Sequence, residues 1–93
     1  MNTIKFNDLE LEVESYNKNT YFNDGNITSN GYCTVITNDI ASLNDFMGEI
    51  ITTIEIKHNG NSIYNLENLN AHIDTISETL SGDRIIVNLN ITF

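Results

Sequence analysis

Three acidic side chains near the start of the chain have the spacing that most directly suggests a chemical role. Glu10, Glu12 and Glu14 alternate with apolar residues from Leu9 to Val13. In a β-strand, every second side chain points to the same face, with a repeat of about 7 Å. The pattern therefore predicts a stripe of three carboxylates. Such a stripe is ordinarily a solvated face, and its functional interpretation is a surface that meets a basic protein or keeps DNA away.

The remaining residues that could perform chemistry do not form a recognisable site. His58 and His72 lack the spacing of zinc ligands, and residues 23–26 lack the terminal bidentate glutamate of a calcium loop. Cys33 lies in an apolar, hydroxyl-rich strand pattern that is typical of a buried thiol. A serine nucleophile elbow and a glycine-rich phosphate loop are both absent. We therefore predict no catalytic, cofactor-binding or metal-binding residues, and a protein that is not an enzyme.

Aromatic residues in residues 16–22 suggest an interaction surface instead. Tyr16, Tyr21 and Phe22 lie among amide side chains, which can satisfy hydrogen bonds across an interface. Aromatic residues are enriched at interface centres because they offer a large contact area with few torsions to freeze. We predict these three residues as a candidate interface. The alternatives are that Tyr21 and Phe22 close one end of the core, or that all three residues form an exposed aromatic cluster for carbohydrate together with Tyr32.

The charge balance limits the classes of partner. Thirteen acidic residues against four basic ones give a formal net charge of −9. The four basic residues are widely spaced, so a basic groove for nucleic acid is excluded and an anionic membrane surface is disfavoured. The charge remains compatible with simple solubility, with a basic protein partner, or with a surface that repels or imitates nucleic acid.

Length and hydropathy predict a single β-rich domain over residues 1–93 that is not secreted by a signal peptide. Ninety-three residues support one modest core. The N-terminal residues contain no apolar signal-peptide region, and no apolar run is long enough to span a bilayer. We expect the protein to remain in the cytoplasm, or to leave it only as part of an assembly. A single cysteine leaves no intrachain disulfide to stabilise the fold.

Alternation of apolar and polar residues predicts most of the strands. Residues 83–93 alternate to the end of the chain and must pair within a sheet. Residues 4–6 and 9–13 form a hairpin, and residues 16–22 continue as a strand or an irregular extension. Residues 23–26 form a turn, and residues 27–37 form a strand with Gly31 as a candidate bulge.

Two further segments have more specific predictions. The spacing of Ile40, Leu43 and Met47 predicts a short helix within residues 38–48, capped by Asn38 or Asp39, with a shorter helix if Ser42 and Asp45 form the capping box. Residues 50–66 form a hairpin around Asn59-Gly60. A three-residue loop over residues 59–61 pairs Ile56 with Tyr64 and Ile54 with Leu66, which joins apolar to apolar side chains.

Residues 68–80 fit two patterns. Leu69, Ile73, Ile76 and Leu80 have the spacing of a helical stripe, whereas the Thr, Ile and Ser content favours a strand. We favour the strand, because a turn at residues 81–83 places Ile73 opposite Ile91 and Ala71 opposite Phe93.

Together these elements predict a mainly β fold, an antiparallel β-sandwich or small barrel of six to seven strands with one short helix. The predicted core contains Phe6, Leu11, Val13, Val35, Leu43, Ile54, Ile56, Leu66, Ile73, Val87, Leu89 and Ile91.

The layout of short strands, one small helix, a hairpin at residues 54–66 around Asn59-Gly60 and a terminal strand at residues 82–93 resembles small β-rich proteins of bacteriophage virions. Those proteins include tail-tube, tail-completion and capsid-decoration modules. The resemblance implies a non-enzymatic virion or assembly subunit, a homo-oligomer or a partner of other virion subunits, that acts through protein–protein interfaces. The alternative is an acidic inhibitor that mimics nucleic acid and blocks a host nucleic-acid-handling or defence enzyme.

Overall fold

Seven antiparallel strands form one open sheet in the computed structural model, which describes all residues from 1 to 93. The strands lie side by side in the order β5-β4-β1-β2-β3-β7-β6. The elements along the chain are β1 (Asn2–Phe6), β2 (Leu9–Asn23), β3 (Asn26–Ile36), α1 (Ile40–Asp45), β4 (Ile54–His58), β5 (Asn61–Leu66), β6 (His72–Ser81) and β7 (Arg84–Thr92). The predicted mainly β, antiparallel fold with one short helix is confirmed, and the sheet is not closed into a barrel.

The hydrophobic core lies on one face of this sheet. Leu43 of α1, Ile51 and Ala71 belong to the same buried cluster as the strand residues, so the connecting segments cover that face. Every predicted core residue is buried except Leu66, which is half-buried because it lies on the edge strand β5. The prediction missed Ile4, Ile51 and Ala71, which are also buried.

The β4–β5 hairpin combines a tight turn with a bulge. His58 pairs with Asn61, so the loop is the two residues Asn59 and Gly60, both with positive φ, and the predicted three-residue loop is wrong. A register shift between Ile56 and Lys57 then pairs Ile56 with Tyr64, as predicted. Two-residue turns with positive φ match the twist of a hairpin, and the bulge restores the apolar pairing.

The β6–β7 hairpin also combines a two-residue turn with a bulge. Residues 68–80 contain a strand, as we favoured, but Ser81 pairs with Arg84, so the turn has two residues instead of three. A register shift between Ile73 and Thr75 brings Ile73 opposite Ile91, as predicted. Ala71 does not reach Phe93. Its backbone forms two hydrogen bonds with Ile51, because the chain at Ala71 crosses to the segment that precedes β4.

The β2–β3 hairpin has its bulge at a different place from the predicted one. Gly31 lies in regular register with Lys18, and the shift falls between Val13 and Ser15. A Cβ atom at Gly31 would lie 3.2 Å from the ring of Phe93, so the glycine allows this ring to pack on β3. Close approach of a side chain, and not a bulge, explains the glycine.

The helix is shorter than the predicted segment, because it ends at Asp45. Asp39 caps its N-terminus, since its carboxylate accepts hydrogen bonds from the backbone N–H and the hydroxyl of Ser42. Leu43 is fully buried, whereas Met47 lies beyond the helix and is exposed. The alternative capping box between Ser42 and Asp45 does not form, because Ser42 donates its hydrogen bonds to Asp39.

Candidate interaction arm

A two-stranded ribbon projects from the body of the sheet and is the most distinctive surface of the molecule. β1 pairs with β2 only from Leu9 to Glu12, and β7 pairs with β3 only from Asn30 to Ile36. The outer parts of β2 and β3 therefore have each other as their only strand partners. We call residues 15–29 the arm. The strands turn at Asp24 and Gly25, both with positive φ, which is the geometry of a tight hairpin turn.

The end of the arm exposes large apolar side chains. Tyr21 is 53% exposed, Phe22 is 75% exposed and Ile27 is 72% exposed. Phe22 and Ile27 lie directly opposite each other, so both are on one face, and Tyr21 is on the other face. All residues from 20 to 28 are exposed, so these side chains do not close the core.

One edge of the arm has a long run of unpaired backbone groups. β2 has no neighbour on its β1 side from Val13 to its end at Asn23. Natural proteins usually protect such edges with proline, lysine or short strands. Here proline is absent, and the one lysine, Lys18, places its Nζ atom 4.9 Å from the ring centroid of Phe93. Phe93 packs on Gly31 of β3, so Lys18 is drawn away from the open edge.

The third predicted interface residue, Tyr16, lies at the base of the arm and not at its end. Tyr16 is half-buried, and its ring centroid lies 5.4 Å from that of Tyr64 on β5. Burial raises the pKa of the Tyr16 phenol, and the neighbouring Tyr64 phenol adds to this effect. The Tyr16 hydroxyl oxygen is buried and has no partner at hydrogen-bonding geometry.

A cleft of about 270 Å³ opens between the base of the arm and the β4–β5 hairpin. It is lined by Asn2, Val13, Glu14, Ser15, Tyr16, Ile56, Ile63 and Tyr64. Ile63 is the extra residue of the β5 bulge and is 62% exposed. The cleft begins at Asn2, the first residue of β1, so it continues the position that β1 occupies beside β2.

The three predicted carboxylates do not form a uniform acidic stripe. Glu10 accepts a hydrogen bond from Thr3 and lies 4.0 Å from Lys57, which also approaches Glu55. Glu12 is half-buried opposite Thr3. Glu14 falls at the β2 bulge, which breaks the two-residue repeat, and lines the cleft. The regular spacing therefore ends at Glu12, and a lysine lies beside the first carboxylate.

The histidines occupy separate, exposed positions. His58 contacts Asn2 and Asn59 at the β4–β5 turn, and the Nε2 atom of His72 lies 2.7 Å from a carboxylate oxygen of Asp74. No group of three or more His, Cys, Asp or Glu side chains is arranged to hold a metal ion.

Sequence reasoning missed Ile27 and Ile63 as exposed apolar residues. Ile27 had a usable signal, because the turn at residues 23–26 places it opposite Phe22. Ile63 had none, since its exposure depends on a bulge that the sequence pattern does not encode.

No protein family, no curated protein and no solved structure matches the chain significantly. The structure contains no helix with the length and apolar character needed to cross a membrane.

Proposed function

We propose that this protein is a non-enzymatic assembly subunit of a bacteriophage virion, which binds other protein subunits through the arm. The observation that carries the proposal is the exposure of Tyr21, Phe22 and Ile27 at the end of a projecting hairpin. Solvent-exposed aromatic and branched apolar side chains gain free energy when a partner covers them. A globular fold alone has no need to place them there.

The charge distribution supports the same surface. The arm contains one lysine and one aspartate, whereas the rest of the chain carries the whole net charge of −9. Interface centres are depleted in charged residues and enriched in aromatic residues. The arm has that composition, and the acidic body favours solubility and keeps subunits from associating through other surfaces.

The arrangement of the carboxylates supports assembly over nucleic-acid mimicry. A protein that imitates DNA needs an uninterrupted array of negative charges that replaces the phosphates of one strand. Glu10 lies beside Lys57, and the bulge at Glu14 ends the repeat. In an assembly that surrounds DNA, an acidic body facing the DNA would still serve to deny it phosphate contacts.

Size measurement of two variants tests the proposal. We expect the wild-type protein to form oligomers in light scattering after size exclusion, and Tyr21→Ser combined with Phe22→Ser to be a folded monomer by circular dichroism. Leu80→Ser is the matched control, because Leu80 is 74% exposed at the turn end of the β6–β7 hairpin, outside the arm. We expect this control to leave the oligomer unchanged.

Three results would overturn the proposal. The first is a double variant that assembles as the wild type does, which would show that Tyr21 and Phe22 are not needed for association. The second is a double variant that unfolds, which would show that the two side chains belong to the core. The third is a wild-type monomer that binds a basic nuclease in a salt-dependent manner, which would favour the acidic inhibitor. Genes for DNA packaging or tail components beside the coding sequence would support the virion role.

A further inference from the structure

We infer that the arm binds a second copy of this chain, with the open β2 edges of the two copies paired antiparallel about a two-fold axis. The inference rests on the proposed function and names the partner. The open edge, from Val13 to Asn23, is longer than most strands of the sheet. Backbone N–H and C=O groups of such an edge form hydrogen bonds with any extended strand that lies beside them.

The charge of the molecule selects the surface through which two copies meet. Each copy carries a net charge of −9, so contacts between the bodies are repulsive. The arm contains only Lys18 and Asp24 as charged residues. An isologous contact uses the same patch on both subunits, and the arm, with one lysine and one aspartate, brings fewer like charges together than any contact between the acidic bodies would.

The side chains select the register of the pairing. A two-fold axis perpendicular to the ribbon, placed at Asn19, puts Tyr16 of each copy opposite Phe22 of the other, on the same face. It also puts Lys18 opposite Thr20. Moving the axis to Lys18 would place the two lysines directly opposite each other, which is unfavourable. Moving it to Thr20 would leave Tyr16 opposite the turn residue Asp24. The axis at Asn19 is therefore the register with the best apolar match.

With the axis at Asn19, a side chain of the second copy also covers the cleft. Tyr16 lies on the core face opposite Cys33, and Phe22 has the same parity along β2. Phe22 of the second copy then lies over Tyr16, at the mouth of the cleft formed by Tyr64, Ile56 and Ile63. The two-fold symmetry repeats the contact, so two clefts and two exposed phenylalanines are covered at once.

Disulfide trapping tests the register directly. Asn19→Cys places two cysteines opposite each other on the two-fold axis, within the distance that a disulfide requires. We expect the copper-phenanthroline oxidant to convert most of this variant to a covalent dimer in minutes. Asn17→Cys is the matched control, because Cys side chains at this position would be separated by about 13 Å along the strand. Native Cys33 is buried and does not compete.

Each cross-linking outcome either supports or overturns the two-fold pairing of the β2 edges. Selective cross-linking at residue 19, abolished by Phe22→Ser, supports the two-fold pairing. Equal or faster cross-linking at residue 17 overturns it, and so does a wild-type protein that remains a monomer at several hundred micromolar. If oligomers form and require Tyr21 and Phe22, yet no cross-link forms at residue 19, the paired-edge inference fails while the assembly function stands.

Discussion

The rings of Tyr16 and Tyr64 meet at a centroid distance of 5.4 Å and an interplanar angle of 54°, which joins the base of the arm to the edge strand β5. β1 and β4 lie between β2 and β5 in the sheet, so this contact spans two strands. Tilted aromatic pairs at this distance contribute about 0.5–1.5 kcal/mol beyond the area they bury. The pair therefore fixes the orientation of the arm relative to the β4–β5 hairpin.

Removing the hydroxyl of Tyr16 should not destabilise the fold. Because this buried oxygen has no hydrogen-bond partner, Tyr16→Phe is expected to change the free energy of unfolding by less than about 0.5 kcal/mol, or to increase it. Tyr16→Leu should cost about 1–2 kcal/mol through loss of the aromatic pair. Urea denaturation measures both, with Tyr64→Phe as the control. A loss above 1 kcal/mol in both phenylalanine variants would instead indicate a hydrogen bond between the two phenols.

Gly31→Ala should destabilise the sheet through close contacts of the added methyl group. The added Cβ would lie 3.2 Å from the Phe93 ring and 3.3 Å from the Asn17 carbonyl oxygen. We expect a loss of about 1–3 kcal/mol in thermal or urea unfolding, as for other overpacked sites. Phe93→Ala removes the nearest obstacle, so the double variant should lose less than the sum of the two single variants. Strict additivity would show that the Asn17 carbonyl, and not the ring, sets the cost.

Cys33 should react with thiol reagents only after unfolding. Burial raises the pKa of this thiol to about 12, so the reactive thiolate is scarce in the folded protein. Labelling at pH 8 is expected to be at least a hundred times faster in urea than in native buffer. Fast labelling of the native protein would contradict the buried position.

The same thiol should make stability depend on alkaline pH. Its folded pKa is raised, so its contribution is complete below the ordinary thiol pKa of about 8.5 and is lost as the pH rises above that value. The free energy of unfolding of the wild type should fall relative to Cys33→Ala by up to about 1.4 kcal/mol per pH unit above pH 9. Parallel pH profiles for the two proteins would contradict this.

Asp39 should make the stability of α1 depend on acid pH. Hydrogen bonds from the hydroxyl and the backbone N–H of Ser42 lower the pKa of this carboxylate. The contribution is therefore present above the ordinary Asp pKa of about 3.9 and disappears as the pH falls through the lowered value. Asp39→Ala should be less stable than the wild type at pH 7, and the gap should close in acid. A gap that is constant with pH would show that charge is not involved. Asp45→Ala, at the other end of the helix, is the control.

Strand positions and apolar pairings could be predicted from the sequence because they follow a two-residue period. Ile54 with Leu66 and Ile73 with Ile91 were both predicted correctly. The loop lengths were wrong in both hairpins, because a tight turn plus a bulge produces the same apolar register as a longer loop. The apolar pattern of the sequence predicts the register, but it does not distinguish a longer loop from a tight turn with a bulge.

The candidate interface was predictable only in part, for a related reason. Aromatic content indicated residues 16–22, but their exposure depends on where β1 and β7 stop pairing with their neighbours. The limit on the β7 side is set by contacts between residues more than fifty positions apart, such as Asn30 with Thr92. The cleft at Tyr16 depends on the same limits, and the sequence contains no local signal for it.

The placement of β7 between β3 and β6 has a consequence for how the protein is made. β7 is the last strand of the sheet along the chain, yet it is an interior strand, so β3 lacks one neighbour until β7 has left the ribosome. A nascent chain at that stage presents Cys33, Val35 and their neighbours to solvent and to other nascent chains. Distant pairings of this kind also slow the search for the native topology. We expect the growing polypeptide to rely on chaperones until β7 pairs with β3 and brings β6 into the sheet.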